Sequence, residues 1–391
     1  MVRANLLWLI AGCLMLQPLS TDLYLPSLPH LATYFSADPA GVQQTLSAFV
    51  FGFAVAQLVS GPLSDRFGRR PILLGGLAIY LLGCIVRGLA PTLNALIVAR
   101  FVQAIGGCTA VVVSRAIVRD AFSPIEGAKI IARASSMLAI APLCGPVAGG
   151  YLQVAFGWRA AFALMAVFCI LLGAIVMRGF EETNQHPNPG AIRFDNLARN
   201  YRTILQNPSF WAFALPGCLS YANIFVFISG SSFVLIRVFG IKTETYGWLF
   251  ALGVTGYLTG TIVCRRLLSA IGMQRTLGLG AAAAFAAGLI ILGCANAGAF
   301  HWSLIVAAQF FAMLAHGINF PCTQTGAVAP FPQQAGAAAG LFGFFSMLGA
   351  MTAGYCVGET VSGTIYPLLQ ISAATSTLLM LATVLFWKHR Q

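Results

Sequence analysis

Twelve runs of mostly apolar residues follow one another along this chain, at about 5–30, 42–62, 72–90, 95–117, 131–155, 160–178, 209–236, 246–267, 276–296, 302–327, 336–358 and 363–387. Roughly 20 apolar residues in a helix cross the hydrocarbon of a bilayer. Strands of a membrane barrel would show alternating polarity over about ten residues, and these runs do not. Backbone in lipid must satisfy its own hydrogen bonds, so the runs read as helices. The predicted fold is an all-α membrane protein with 12 transmembrane helices. Composition removes the competitors. Charged residues make up 8% of the 391 and hydrophobic ones 58%, whereas a soluble domain carries about 25% charged residues. A soluble enzyme, a disordered chain and a secreted disulfide scaffold are therefore excluded. The ten cysteines stand singly in apolar runs, as at Cys84, Cys108, Cys169 and Cys294. They show no metal-ligand spacing and read as small buried hydrophobes.

A net charge of +12 would raise the question of nucleic acid in a soluble protein. Here the 22 Lys and Arg lie in short clusters between apolar runs, which fits the cytoplasmic bias of membrane loops and not a nucleic-acid surface. With the amino terminus inside, seventeen fall on the inner side, from Arg3 through Arg66, Arg69, Arg70, Arg115 and Arg119 to Lys388 and Arg390. Four fall at outer ends, Arg87, Arg159, Arg237 and Lys242, and Arg100 lies within a span. Both termini are thus expected in the cytoplasm. Arg3 and the apolar run behind it resemble a secretory signal, with a lipoprotein-like box at Ile10-Ala11-Gly12-Cys13. The run continues to Leu25 with no small-x-small cleavage site in place, so the segment is expected to be retained as a span.

The longest polar stretch, 179–208, holds Glu181, Glu182, Pro187, Pro189, Arg193, Asp195 and Arg199 and divides six runs from six. The expected organisation is two six-helix halves, 1–178 and 209–391, joined by a central cytoplasmic loop, as in duplicated transporters. The repeat is faint: Leu63-Ser64-Asp65-Arg66 after the second run is echoed by Leu268-Ser269-Ala270-Ile271 after the eighth, without the acid.

Four segments carry candidate chemistry. After the second run comes Gly61-Pro62-Leu63-Ser64-Asp65-Arg66-Phe67-Gly68-Arg69-Arg70-Pro71. Its glycines allow a tight turn. Asp65 can sit against a helix amino terminus and the basic residues, as a latch that opens when two halves rock; the plainer reading is a topogenic basic loop. The fourth run contains Arg100-Phe101-Val102-Gln103-Ala104-Ile105-Gly106-Gly107. An arginine in a span is costly and usually functional, or it snorkels to the outer headgroups. The fifth run contains Ala141-Pro142-Leu143-Cys144-Gly145-Pro146-Val147-Ala148-Gly149-Gly150. Gly145 and Gly149 share a helix face that admits a close neighbour, as small-residue packing does generally, and Pro146 bends the helix. The first run ends Pro18-Leu19-Ser20-Thr21-Asp22-Leu23-Tyr24-Leu25-Pro26-Ser27-Leu28-Pro29. Of the ten acids, Asp22 alone lies plausibly within a run, with Glu359 the borderline rival. An ionised carboxylate is costly there, so Asp22 is the candidate to take up and release a proton. The competing reading is a helix-end aspartate at the interface beside Ser20 and Thr21.

These segments carry a resemblance. The loop after the second run is similar to the cytoplasmic loop signature of the major facilitator superfamily, and the Arg100 segment resembles its fourth-helix arginine motif, with Ala104 where a glycine is common. The Gly145–Gly149 segment resembles the antiporter signature of its drug exporters. The first-run segment resembles that of the Bcr/CflA drug-resistance transporters. So do Thr45-Leu46-Ser47, Trp158-Arg159-Ala160-Ala161-Phe162 and Phe331-Pro332-Gln333-Gln334-Ala335-Gly336, and the likeness extends over essentially the whole chain. It implies a monomeric, proton-coupled drug exporter of the bacterial inner membrane, related to bicyclomycin and chloramphenicol exporters. Its energy source would be the proton gradient, and no bound cofactor, metal or nucleic acid is expected. In that reading Asp22 takes the proton and Arg100 biases it. Gly61, Asp65, Arg66, Gly68 and Arg69 form the cytoplasmic gate, and Gly145, Pro146 and Gly149 shape the antiporter helix. The pattern implies a cavity lined by aromatic and amide residues, with Tyr24, Phe49, Phe53, Gln103, Tyr221, Asn223, Phe227 and Asn319 as candidates, for each of which ordinary packing is the plainer reading; His316, alone in its run, reads equally as a satisfied structural group. A transporter of a nucleoside or an amino acid on the same scaffold is the alternative, because fold does not fix substrate. An intramembrane enzyme would need a nucleophile or metal cluster, and the runs contain no HExxH, no GxSxG and no paired acids.

Overall fold

The computed structural model describes residues 2–138, 140–185, 187–360 and 363–390. Met1 and Gln391, the ends of the expected halves, and His186 of the expected loop lie outside the described residues. The first half contains α1 (Val2–Asp22), α2 (Leu28–Tyr34), α3 (Pro39–Phe67), α4 (Arg69–Gly88), α5 (Leu93–Ala121), α6 (Pro124–Leu138), α7 (Ile140–Phe156) and α8 (Arg159–Gly179). A connecting stretch carries α9 (Phe194–Leu205). The second half contains α10 (Pro208–Ser232), α11 (Thr243–Asn296), α12 (Trp302–Val328), α13 (Ala335–Thr360) and α14 (Tyr366–Leu385).

Among the described residues ten helical stretches are long and apolar enough to cross a membrane. One of them, the 54-residue α11, reverses at Gly272 (φ 78°, ψ 171°) and so crosses twice. The consecutive α6 and α7 together supply the twelfth crossing, in place of the single run expected at 131–155. The protein is thus an all-α, multi-pass membrane protein with twelve spans in two halves. The expected gap between the eighth and ninth spans closes to this one glycine, because a positive φ with extended ψ turns the chain without a loop, and only glycine adopts it freely. Gly68 between α3 and α4 has the same conformation (φ 97°, ψ 158°). The two glycines are the structural repeat, and they shift the sequence echo by one residue: Asp65 corresponds to Ser269, and Arg69 to Met273.

The first span is broken. Asp22 ends α1, and Leu25–Ser27 form a 3₁₀ turn before α2. Pro26 and Pro29 lack the N–H groups that would continue the helix. Tyr24 and Ser27 instead donate backbone N–H groups to the carbonyls of Thr21 (3.1 Å) and Tyr24 (3.0 Å). Interrupted spans are tolerated only where protein or a cavity surrounds them. Here α7 lies against the break on one side and α11 on its other, and α3 runs along α13, so these pairs form the seams between the halves.

A broken helix, two buried arginines and a charged turn

Asp22 is 4% exposed, and it is the one buried acid of the ten. Glu359 is exposed at the end of α13. Among the described residues Asp22 has no ion-pair partner; the Thr21 hydroxyl donates to its Oδ1 at 3.0 Å. Close approach of α7 encloses it. A Cβ on Gly145 would lie 2.9 Å from the Asp22 Cβ, and one on Gly149 only 2.3 Å from the Leu23 carbonyl oxygen. The other face of the same helix meets α11, where a Cβ on Gly150 would fall 2.8 Å from the Thr243 oxygen and one on Gly247 2.5 Å from the Pro146 oxygen. The glycines do pack as small residues do. What distinguishes them is that they pack α7 between the carboxylate-bearing break and the second half.

Arg100 is fully buried, so it does not snorkel. Its Nη1 donates to the Ser20 carbonyl at 2.8 Å, two residues before Asp22, and to Gln103 Oε1 at 3.3 Å. Its guanidinium lies 4.5 Å from the Tyr24 ring centre and 4.6 Å from that of Phe49. Arg87, expected at an outer helix end, is also fully buried. Its Nη1 donates to the same Gln103 Oε1, and its guanidinium stacks on Phe162 at 3.6 Å and lies 5.3 Å from Tyr24. Among the described residues, Nε and Nη2 of both arginines have no hydrogen-bond partner. Gln103 is held where α4 and α5 meet backbone to backbone: a Cβ on Gly83 would lie 2.7 Å from the Gln103 Cα, and one on Gly106 2.3 Å from the Tyr80 nitrogen. Sequence reading missed Arg87 although a signal was present. Leu73, Leu77, Tyr80, Cys84 and Arg87 recur at helical spacing and are all buried on one face of α4.

The other cavity candidates separate. Tyr24 bonds through its hydroxyl to Thr45 (2.8 Å). Phe53 packs 6.2 Å from Phe49, and Phe227 is fully buried. Tyr221 accepts from Gln17 Nε2 of α1 at 3.1 Å and lies 5.7 Å from the His316 ring. His316 is buried and bonds through Nδ1 to the Ser220 hydroxyl (3.0 Å). The Asn223 amide oxygen accepts from Ser372 (2.8 Å) and Thr375 (3.1 Å). Asn319 is buried with both amide atoms unpartnered. Tyr24, Phe49 and Gln103 thus gather around the arginines, whereas Tyr221 and His316 gather in the second half and reach α1 through Gln17.

At the end of the bundle that bears Gly68, the turn residues form a network. Arg69 is buried, and it donates to Asp65 Oδ1 (2.6 Å), the Ser64 hydroxyl (2.7 Å) and Asp120 Oδ2 of α5 (2.7 Å). Asp65 was expected against a helix amino terminus, but Glu182 takes that place: its two oxygens accept the Arg69 and Arg70 backbone N–H groups at 2.8 and 2.9 Å. Gly68 makes room for it, since a Cβ there would lie 2.6 Å from Glu182 Oε2. Burial alone would raise the Glu182 pKa; four backbone N–H groups, those of Asn184, Arg69, Arg70 and Thr183, outweigh it and hold the group below the usual glutamate range. Arg66 is exposed, and its guanidinium lies 5.0 Å from the Phe67 ring centre. Gly61 lies within α3 and not in a turn. The recorded bonds of Asp65 and Arg69 all stay within residues 64–188, so the expected link across the halves is not among them. Asp120 and Glu182 were missed because their partners lie 51 and 113 residues away.

Residues 10–354 match the family model described as Major Facilitator Superfamily. The Bicyclomycin resistance protein homolog of Haemophilus influenzae is 28% identical over 372 residues, covering 94% of this chain and 92% of that protein. Multidrug resistance protein D of Escherichia coli is 27% identical over 360 residues, covering 89% and 87%. In fold, a crystal structure of a D-xylose–proton symporter superposes with a TM-score of 0.75 over 99% of this chain and 98% of its own at 14% identity. A bacterial homologue of the lysosomal transporter Spinster, inward-facing and occupied, gives 0.73 over 99% and 97% at 18% identity. With twelve spans, the interrupted first helix and a match over most of its length, the chain belongs to the major facilitator superfamily and is a membrane transporter, not an enzyme.

Proposed function

We propose that the protein exports small amphipathic antibiotics, of the bicyclomycin or chloramphenicol kind, in exchange for protons. The observation that carries this reading is Asp22, the one buried acid, at a helix break between α5 and the α7 that joins the halves. The printed names of the relatives, bicyclomycin resistance and multidrug resistance, support the substrate class. The proton enters Asp22 when the cavity faces outward and leaves when it faces inward. Drug occupies the state in which Asp22 is ionised, so drug and proton alternate. Arg100, anchored on the Ser20 carbonyl two residues before Asp22, is the residue assigned to bias the proton step by its charge. The end bearing Gly68, Asp65 and Arg69 faces the cytoplasm of a bacterial inner membrane, with both termini on that side, and the working unit is the monomer.

One acid implies one proton inward per drug outward. Export of a neutral drug then moves one charge and gains about 2.3 kcal/mol per 100 mV of membrane potential, whereas export of a monovalent cation moves none. The test is a susceptibility panel in a pump-deleted host, followed by proteoliposomes with imposed pH gradients and valinomycin clamps. Wild-type chain should raise resistance to a neutral antibiotic, and collapsing the potential should slow neutral-drug export. Unchanged resistance across the panel, or active efflux that persists in Asp22→Asn, would overturn the reading. Reporter fusions within 185–198 should report cytoplasm; a periplasmic signal would reverse the orientation.

A further inference from the structure

The halves are bonded differently at the two ends of the bundle. At the end away from Gly68 they bond to each other directly. Arg237 of the second half donates to the Pro29 carbonyl (2.6 Å) and the Thr33 hydroxyl (3.1 Å) of α2. His30 bonds the Thr243 hydroxyl (2.9 Å), and Gln43 of α3 donates to the Ser229 carbonyl. At the end bearing Gly68, the hydrogen bonds between halves that the described residues make run through the connecting helix α9.

That helix is built into the second half. Ile204 is fully buried in one cluster with Phe210, Phe213 and Phe331, and the Leu205 carbonyl accepts from the Trp211 indole at 2.8 Å. Asn200 Oδ1 accepts from Gln334 Nε2, in the turn before α13, at 3.2 Å. Towards the first half, α9 makes one hydrogen bond among the described residues: the Tyr201 hydroxyl donates to the Leu58 carbonyl of α3 at 2.7 Å. The sequence explains why that carbonyl is open. Its helical donor would be the N–H of residue 62, and residue 62 is proline. A partly buried phenol needs a polar partner, and Pro62 leaves it one. The bond sits at the seam of the halves, since the carbonyl of the neighbouring Gln57 would lie 3.1 Å from a Cβ on Gly340 of α13.

We propose that α9 is a strap across the α3–α13 seam, fixed to the second half and released from the first at the bond between Tyr201 and Leu58. A transporter opens one end while the other stays shut. Opening the end that bears Gly68 draws Leu58 away from Gly340 and Gln334. The buried Ile204 keeps α9 with the second half, so the phenol leaves its acceptor at that step. The Leu58 carbonyl then has no helical donor to return to, because Pro62 has none. The strap therefore favours the state closed at this end, and Tyr201 is a positioning residue that sets this balance without touching cargo. The link between halves expected of Asp65 and Arg69 is carried by the connecting helix.

The test is hydrogen–deuterium exchange of the purified full chain in lipid nanodiscs, with no substrate or gradient, so its result stands apart from the choice of drug and of proton carrier. Tyr201→Phe deletes the hydroxyl and keeps the ring. Peptides over 55–67 and 335–345 should exchange roughly 3- to 10-fold faster, the range for the loss of one net hydrogen bond. Peptides of the far end, over 28–34 and 229–238, should not speed up. Thr203→Val removes a hydroxyl that bonds only within α9, to the Arg199 carbonyl at 2.9 Å, and should leave both ends as in wild type. Unchanged exchange in Tyr201→Phe overturns the strap. So does an equal acceleration at both ends, which is general loosening, or an effect of Thr203→Val as large as that of Tyr201→Phe.

Discussion

The two halves share a turn and differ in charge. Gly68 and Gly272 adopt one backbone conformation at equivalent places, yet around Gly68 stand Asp65, Arg69, Asp120 and Glu182 in a network of acids and bases, whereas the chain around Gly272 carries Ser269, Met273 and Gln274 with the cations Arg265, Arg266 and Arg275 and no acid beside them. The interiors differ in the same sense. The first half buries Asp22, Arg87 and Arg100; the second buries His316, Asn223, Asn319 and Gln309. Duplicated backbone geometry therefore does not imply duplicated chemistry. A fold needs the glycine at both turns, because the reversal depends on φ. The turn itself does not need the charges, and among the described residues the paired acids and arginines are built around one of the two turns alone.

The comparison breaks most completely at Asp22. Asp22→Asn should lower proton-driven efflux by about 100-fold or more with the protein still inserted, while His316→Ala should change apparent drug affinity and keep the proton dependence, because removing a transition-specific charge costs far more than trimming a contact. Transport in proteoliposomes with a pH-sensitive dye decides; equal losses in both variants would make the halves equivalent.

Next comes Arg69. Its removal leaves Asp65 and Asp120 without their cation, and broken buried pairs cost about 3–5 kcal/mol. Asp65 is 40% exposed on its side chain, so roughly half of that is expected for Arg69→Met. Met273→Ala at the matching position should cost about 1 kcal/mol or less, as at a partly exposed site. Thermal unfolding in detergent measures both.

The turn glycines should separate by less. Both alanine variants meet the left-handed strain of about 1 kcal/mol. Gly68→Ala adds a collision with Glu182, whereas nothing lies within 4 Å of a Cβ at Gly272. Gly68→Ala should therefore unfold at the lower temperature, and Glu182→Ala beside it should bring the two variants together.

The smallest effect concerns pH. The Glu182 pKa is lowered in the folded chain, so its contribution to stability is full above the unfolded glutamate value of about 4.3 and is lost as pH falls through the lower folded value. The melting-temperature gap between wild type and Glu182→Gln should be constant near neutrality and shrink below about pH 4. A gap that widens in acid would mean the carboxylate is not the stabilising form.

How much was legible can be argued from single residues. Asp22 was found by elimination among few acids, and Gly145 and Gly149 by their spacing on one helix face. Arg87 was misplaced because a count by side treats an arginine near a helix end as loop charge. The periodicity of Tyr80, Cys84 and Arg87 pointed inward, and that signal outranks position along the span.

The sequence by itself determined the twelve spans and their division into halves, since a hydrocarbon slab imposes length and hydropathy on each crossing without reference to its neighbours. The break after Asp22 is a tertiary finding: the sequence reading ran the first span through Pro26 and Pro29, which remove the donors a helix needs there. Only the tertiary structure decided which charges meet. Glu182 reaches the start of α4 across 113 residues, and Gln103 joins two arginines from different helices. Such encounters depend on where packed helices cross, a property of the whole bundle and of no local stretch of chain.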